Sequence, residues 1–199
     1  MVLQKHLKES TARLHAELEK LMLVDKIKDG SLTFADYQRM LLTNYALHRK
    51  YECFLLEGLS PETATQLEMD KLRKLPSLEK DLMQAGMTPP AKDDNFEQTI
   101  QLENNDAARL GAMYVFEGAT LGGNVIVKLL RLNPQMQTHQ LNYFYYSQYA
   151  DNLVTYWKNF CAVLNQQQIS AWPSILSAAQ IIFEDFIKSA KTTKDNLAE

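Results

Sequence analysis

Two short stretches of this sequence carry residue types at spacings that suit chemistry on a bound metal. The first is LKESTARLHAELEKL near the N-terminus. Leu7, Leu14, Leu18 and Leu21 recur at helical spacing and make one apolar face, with His15 about a quarter turn away at its rim. Lys8 lies on the same strip two turns before His15, and Glu19 one turn after it. Imidazole binds iron well, and a carboxylate at i+4 can hold the ring's other nitrogen. Lys8 could then meet a carboxylate of the bound molecule. The same pattern also describes a surface histidine with an incidental i,i+4 partner. His6, His48 and His139 compete as ligands, and His48 lies in an apolar helical pattern, NYALHRKYE, where a core role is also open.

The second stretch is GAMYVFEGATLGGNVIVKLL, which holds four of the chain's 7 glycines: Gly111, Gly118, Gly122 and Gly123. Each mid-helix glycine costs about 1 kcal/mol relative to alanine. Gly111, Gly118 and Gly122 fall in a narrow strip of one helical face. Without side chains, that strip lets a flat group lie against the backbone, and the Gly122–Gly123 pair invites a kink. Close helix–helix packing through small residues would use the same strip, so both readings stand. Other chemistries find no motif here: the sequence has no HExxH, paired ExxH, P-loop, GxGxxG or GxSxG.

The elements that must position these residues are helical. All 6 prolines and Gly30, Gly58 and Gly86 mark changes of pattern, as expected if glycine ends helices and proline opens them. Helical patterns run at 3–24, 33–57, 61–85, 93–131, 134–166 and 170–191. Thr33 with Asp36 reads as a capping box, and Ser60-Pro61-Glu62 as an N-cap and first turn. Strand alternation is missing except at Tyr143–Tyr146, where helical flanks are expected to prevail. The expectation is one all-α domain over residues 1–199, a helical bundle with a kinked glycine-rich helix. A net charge of −3 without a basic tract argues against nucleic acid. The two cysteines, Cys53 and Cys161, read as free thiols of a reducing cytoplasm. No apolar run reaches the roughly 18 residues of a membrane span, and the amphipathic start lacks a signal core.

Both stretches resemble the heme oxygenase family. LKESTARLHAELEKL is similar to its proximal helix, and GAMYVFEGATLGGNVIVKLL to the distal helix of its bacterial, biliverdin-producing branch, whose usual form is close to YVxEGSxLGG. LEKDLMQAG at 78–86 and the aromatic segment running through Tyr149 to WKNF also fit, in family order. The resemblance implies O2- and reductant-dependent cleavage of heme to biliverdin, ferrous iron and carbon monoxide. It implies His15 as axial iron ligand, with Glu19 beside it and Lys8 on a propionate. Gly118, Gly122 and Gly123 would let the distal helix bend over the heme. It also implies an external electron donor such as ferredoxin, a flavoprotein or ascorbate, hence a redox partner, and a cytoplasmic monomer without nucleic acid or membrane.

Two positions depart from the family pattern. Animal-type members carry an aspartate in the distal helix that orders water; Ala119 stands there in this chain, where bacterial relatives often have serine. Water on backbone groups at the kink would take over, with Thr120 or Glu117 able to assist. The family's Tyr-Gly reads Tyr149-Ala150, whose added methyl is expected to crowd the pocket; Tyr145, Tyr146 and Tyr149 stand where basic propionate partners are missing. A non-catalytic heme-binding or storage protein on the same scaffold is therefore the alternative.

Overall fold

The computed structural model describes residues 2–90 and 100–196. Its helices, in chain order, are α1 (Leu3–Leu21), α2 (Val24–Asp29), α3 (Phe34–Glu57), α4 (Pro61–Gln66), α5 (Leu75–Gln84), α6 (Asp106–Thr120), α7 (Gly123–Leu132), α8 (Pro134–Gln137), α9 (Leu153–Asn165) and α10 (Trp172–Asn196). No strand occurs among the described residues, so the fold is all-α as expected.

Caps and breaks explain most of these boundaries. Thr33 and Asp36 form the expected capping box at the start of α3. The Ser60 hydroxyl caps α4, with Pro61 in its first turn. The pattern at 3–24 divides because Leu23 adopts a left-handed φ of 57°, so the chain restarts as α2. The pattern at 61–85 divides likewise at Glu68, φ 50°. Of the pattern at 93–131, residues 93–99 lie outside the described residues. The rest begins at Asp106, where the Asn105 side chain accepts from the Ala108 N–H at 2.8 Å.

The pattern at 134–166 is the largest correction. Between α8 and α9 the aromatic run Tyr143–Tyr146 is neither helix nor strand. The buried carboxylate of Asp81 accepts the N–H groups of Phe144 and Tyr145, each at 2.8 Å. Those donors are thereby lost to any helical ladder, and Tyr143 is left-handed at φ 58°.

Two apolar clusters hold the helices together. One gathers α1, α3, α6, α9 and α10 around Leu7, Tyr51, Leu110, Phe116, Ile182 and Phe183. The other joins α2, α3, α5 and α7 to the aromatic segment around Tyr37, Leu41, Leu82 and Leu130. Each fully buried leucine contributes about 1.5–3 kcal/mol. α10 packs along α6 and also on α1 and α3. Gly111 makes the α6–α10 crossing possible, because a Cβ there would collide with the Ile175 carbonyl.

The stretch Asp106–Leu132 is, by length and composition, long and apolar enough to cross a membrane, which the sequence reading did not expect. In its most apolar window 56% of residues are buried inside the protein, and a core helix passes the same test. Cys53 and Cys161 are both free thiols.

Candidate functional site

The four glycines do not share one role. At Gly111 and Gly123 an added Cβ would strike backbone, the carbonyls of Ile175 and Tyr146 respectively. At Gly118 the nearest atom to such a Cβ is Trp157 Cη2 at 3.8 Å, and at Gly122 it is Ile126 Cδ1 at 3.5 Å. These are ordinary contacts, so alanine fits at both. Packing thus explains Gly111 and Gly123 but leaves Gly118 and Gly122 without a reason in the protein's own contacts among the described residues. This corrects the expected strip: Gly111 and Gly123 abut protein, and only Gly118 and Gly122 present bare backbone.

The helix is interrupted at the glycine pair. α6 stops at Thr120, the Leu121 N–H turns back to the Gly118 carbonyl at 3.1 Å, and α7 begins at Gly123. The Thr120 hydroxyl donates to the Glu117 carbonyl at 2.6 Å, satisfying one of the freed acceptors. Ala119 and Leu121 are exposed on the surface of this break.

On α1, Leu7 and Leu14 are buried and His15 lies at the rim, its side chain 59% exposed. The His15 Nδ1 faces Glu19 Oε2 at 3.7 Å, beyond hydrogen-bond length but within ion-pair range when the ring is protonated. The ring meets Phe183 of α10 edge-on, centroids 6.1 Å apart. Lys8 is exposed on the same side of α1. α1 and α6 have no extensive contact of their own; both rest on α10 and both touch α9. The structure therefore sets His15, Glu19 and Lys8 on one helix and Gly118, Ala119 and Gly122 on another, over shared supports. A groove of about 460 Å³ between α1 and α10 lies along the opposite side of α1, lined by Arg13, Glu17, Lys188 and Lys191, with no imidazole in it.

Behind the glycine face is a buried polar cluster that the sequence reading missed in large part. Lys74, 1% exposed, pairs with Glu117 and donates to the Tyr149 hydroxyl at 3.1 Å. Tyr149 donates in turn to Glu117 Oε2 at 2.8 Å. Glu52 accepts the N–H groups of Lys74 and Leu75 at 2.8 and 3.0 Å and faces His48 Nδ1 at 3.3 Å. The Nε2 of His48 reaches the Tyr145 hydroxyl at 3.2 Å. Burial holds His48 below its usual range although Glu52 pulls the other way. Burial raises the Glu52 carboxyl, but His48 and the two N–H donors outweigh it and leave the group below its ordinary value. Burial beside Glu117 pushes the Tyr149 hydroxyl far up, so it stays neutral.

Two expectations are corrected by this cluster. Tyr149 is buried with its hydroxyl bonded to Glu117 and Lys74, so that hydroxyl is committed within the protein and is not free for a propionate. Tyr145 is likewise committed, to His48 and Asn44. Ala150 is exposed, so its methyl crowds no pocket; the cost of the departure is a left-handed φ of 40°. One signal for the cluster was legible: Glu117 is the lone charge in the apolar run AMYVFEGAT. Lys74, in KLRKLPS, looks like any surface lysine.

Comparison with known proteins agrees with the sequence resemblance. The family model described as heme oxygenase matches residues 1–192. A heme oxygenase of Xanthomonas campestris pv. campestris is 34% identical over 122 residues, covering 57% of this chain and 65% of that relative. The structure is similar to heme oxygenase from Leptospira interrogans, TM-score 0.74 over 96% of this chain and 98% of that one. It is also similar to heme oxygenase-1 from the cyanobacterium Synechocystis in complex with heme, TM-score 0.73 over 100% and 95%. The NO- and CO-bound heme oxygenase of Neisseria meningitidis gives a TM-score of 0.74 over 97% and 92%. All three structures are 17% identical to this chain, a likeness of fold.

Proposed function

The chain belongs to the heme oxygenase family, and from that premise we propose that it cleaves heme to biliverdin, ferrous iron and carbon monoxide with O2 and an external reductant. The observation that carries this reading is the pair Gly118 and Gly122. Both stand where alanine would fit, and at Gly118, inside α6, alanine would favour the helix by about 1 kcal/mol. Bare backbone at these two positions is useful to a flat substrate lying against the break.

In this reading His15 would hold the heme iron through Nε2. Glu19 Oε2 lies 3.7 Å from Nδ1, the ring nitrogen left over when Nε2 is the ligand atom. Lys8 would contact a propionate. Heme supplies the iron at which O2 is reduced, together with the porphyrin edge that is attacked. This chain would contribute space and donors: Ala119 leaves room beside the break, and backbone groups of residues 119–123 would anchor water able to donate a hydrogen bond where O2 reacts. Residues 1–199 act as one domain, as a monomer in the cytoplasm, where Cys53 and Cys161 stay reduced. Ferredoxin, a flavoprotein or ascorbate supplies the electrons.

The test is purified protein incubated with hemin, reductant and O2 while the visible spectrum is followed. Loss of the Soret band with a biliverdin product is the expected outcome. Stable binding without ring opening would identify a heme-storage protein, and no binding would remove heme from the account.

A further inference from the structure

A helix broken at two glycines has no intrinsic preference for one bend, because glycine permits many backbone conformations without selecting any. One segment reaches both sides of the α6–α7 break. Before it, the Tyr149 hydroxyl bonds Glu117 at 2.8 Å. After it, the Tyr146 carbonyl lies directly against Gly123, and the Asn124 side chain donates to the Ala150 carbonyl at 3.2 Å.

This segment is fastened in its turn. Asp81 accepts from Phe144 and Tyr145, and the Gln148 amide donates to the carbonyls of Arg73 at 2.8 Å and Lys71 at 3.2 Å. The Gln84 side chain accepts the Asn142 N–H at 2.9 Å. Tyr143 and Ala150 are both left-handed without being glycine, so the surrounding contacts hold the segment against its local preference.

We propose that residues 142–152 are a splint that sets the angle of the α6–α7 break, with Glu117, Tyr149 and Asn124 as its positioning residues and buried Lys74 as its fixed end. The glycines allow the bend and the splint chooses it. For function the inference rests on the heme reading above: the angle decides how the Gly118–Gly122 backbone lies against the substrate. None of these side chains needs to touch heme. Tyr149 and Glu117 face the cluster behind the break, and Glu117 lies about 100° around α6 from Gly118.

Hydrogen exchange on the heme-free full-length protein tests the splint independently of heme. In Tyr149→Phe and in Asn124→Ala, amides of residues 121–124 should exchange on the order of tenfold faster, while those of α1, α3 and α10 keep their rates. Unchanged exchange at the break, or equal acceleration everywhere, would overturn the proposal. Asn124 is exposed, so its variant keeps the test open should Tyr149→Phe fold poorly. With hemin and reductant, Asn124→Ala should lower kcat several-fold and leave KM for hemin unchanged. A rise in KM alone would make Asn124 an ordinary contributor to binding and would also overturn its positioning role. If the wild type opens no heme while exchange responds locally, the heme reading fails and the splint stands.

Discussion

Gly118 and Gly122 present bare backbone on one side of the distal helix, with room for a Cβ that the sequence withholds. About 100° around the same helix, Glu117 is buried and bonded to Lys74 and Tyr149, with little freedom left to either partner. The front is under-filled in the protein alone, and the back is filled and polar. A helix built only for stability would reverse this, placing alanine in front and apolar residues behind. Under the proposed function, a ligand would complete the front. The back makes sense if the last turn of α6 must be held in one place while the chain bends.

Substitutions on the two faces should therefore fail differently. The largest effect is expected from Lys74→Met, which leaves Glu117 buried without its cation and should cost about 3–5 kcal/mol in urea unfolding. The double variant Lys74→Met/Glu117→Leu should recover much of that stability. A single variant as stable as wild type would mean that the cluster is not the rigid element assumed here.

Next comes the contrast among glycines. Gly111→Ala should destabilise by about 1–3 kcal/mol, since its Cβ meets the Ile175 backbone. Gly122→Leu should leave the heme-free protein folded while weakening hemin binding in a spectral titration. If Gly122→Leu instead unfolds the protein and affinity per folded molecule is kept, the front glycines also serve packing.

A smaller gain is expected from Ala150→Gly, which relieves the left-handed φ of 40° and should stabilise by about 1 kcal/mol in thermal or urea unfolding. The smallest effect belongs to pH. His48 is held below its ordinary value of about 6.5, so the unfolded chain takes up a proton that the buried ring refuses. Stability present above about pH 6.5 should thus fall as pH drops below it, by under about 1 kcal/mol between pH 7 and 6. Asp81, raised by burial to about 6, has the opposite sign: its share falls as pH rises from about 4 to 6. His48→Gln should flatten the slope between pH 7 and 6, which unfolding curves at both pH values would show.

The glycine positions and the helix break were legible in the sequence and the buried polar cluster was not, for a physical reason. Glycines and a rim histidine announce themselves by spacing along one helix, and the kink at Gly122 follows from local backbone freedom. Lys74, Glu52 and Tyr149 converge from separate elements, and no local pattern marks a lysine that is about to be buried. The aromatic run at Tyr143–Tyr146 was misread as helix because its N–H groups are taken by Asp81, more than 60 residues earlier in sequence. The close approach at Gly123 is equally non-local, since the Tyr146 carbonyl against it comes from that same segment.

The most direct test of the central claim, that heme lies between His15 and the Gly118–Gly122 face, is a ferric hemin titration of His15→Ala followed by absorption spectroscopy with and without imidazole. The account predicts that the variant folds, loses the imidazole-type spectrum and regains it when free imidazole is added. A spectrum unchanged from wild type without imidazole would contradict the claim and move the ligand to another histidine.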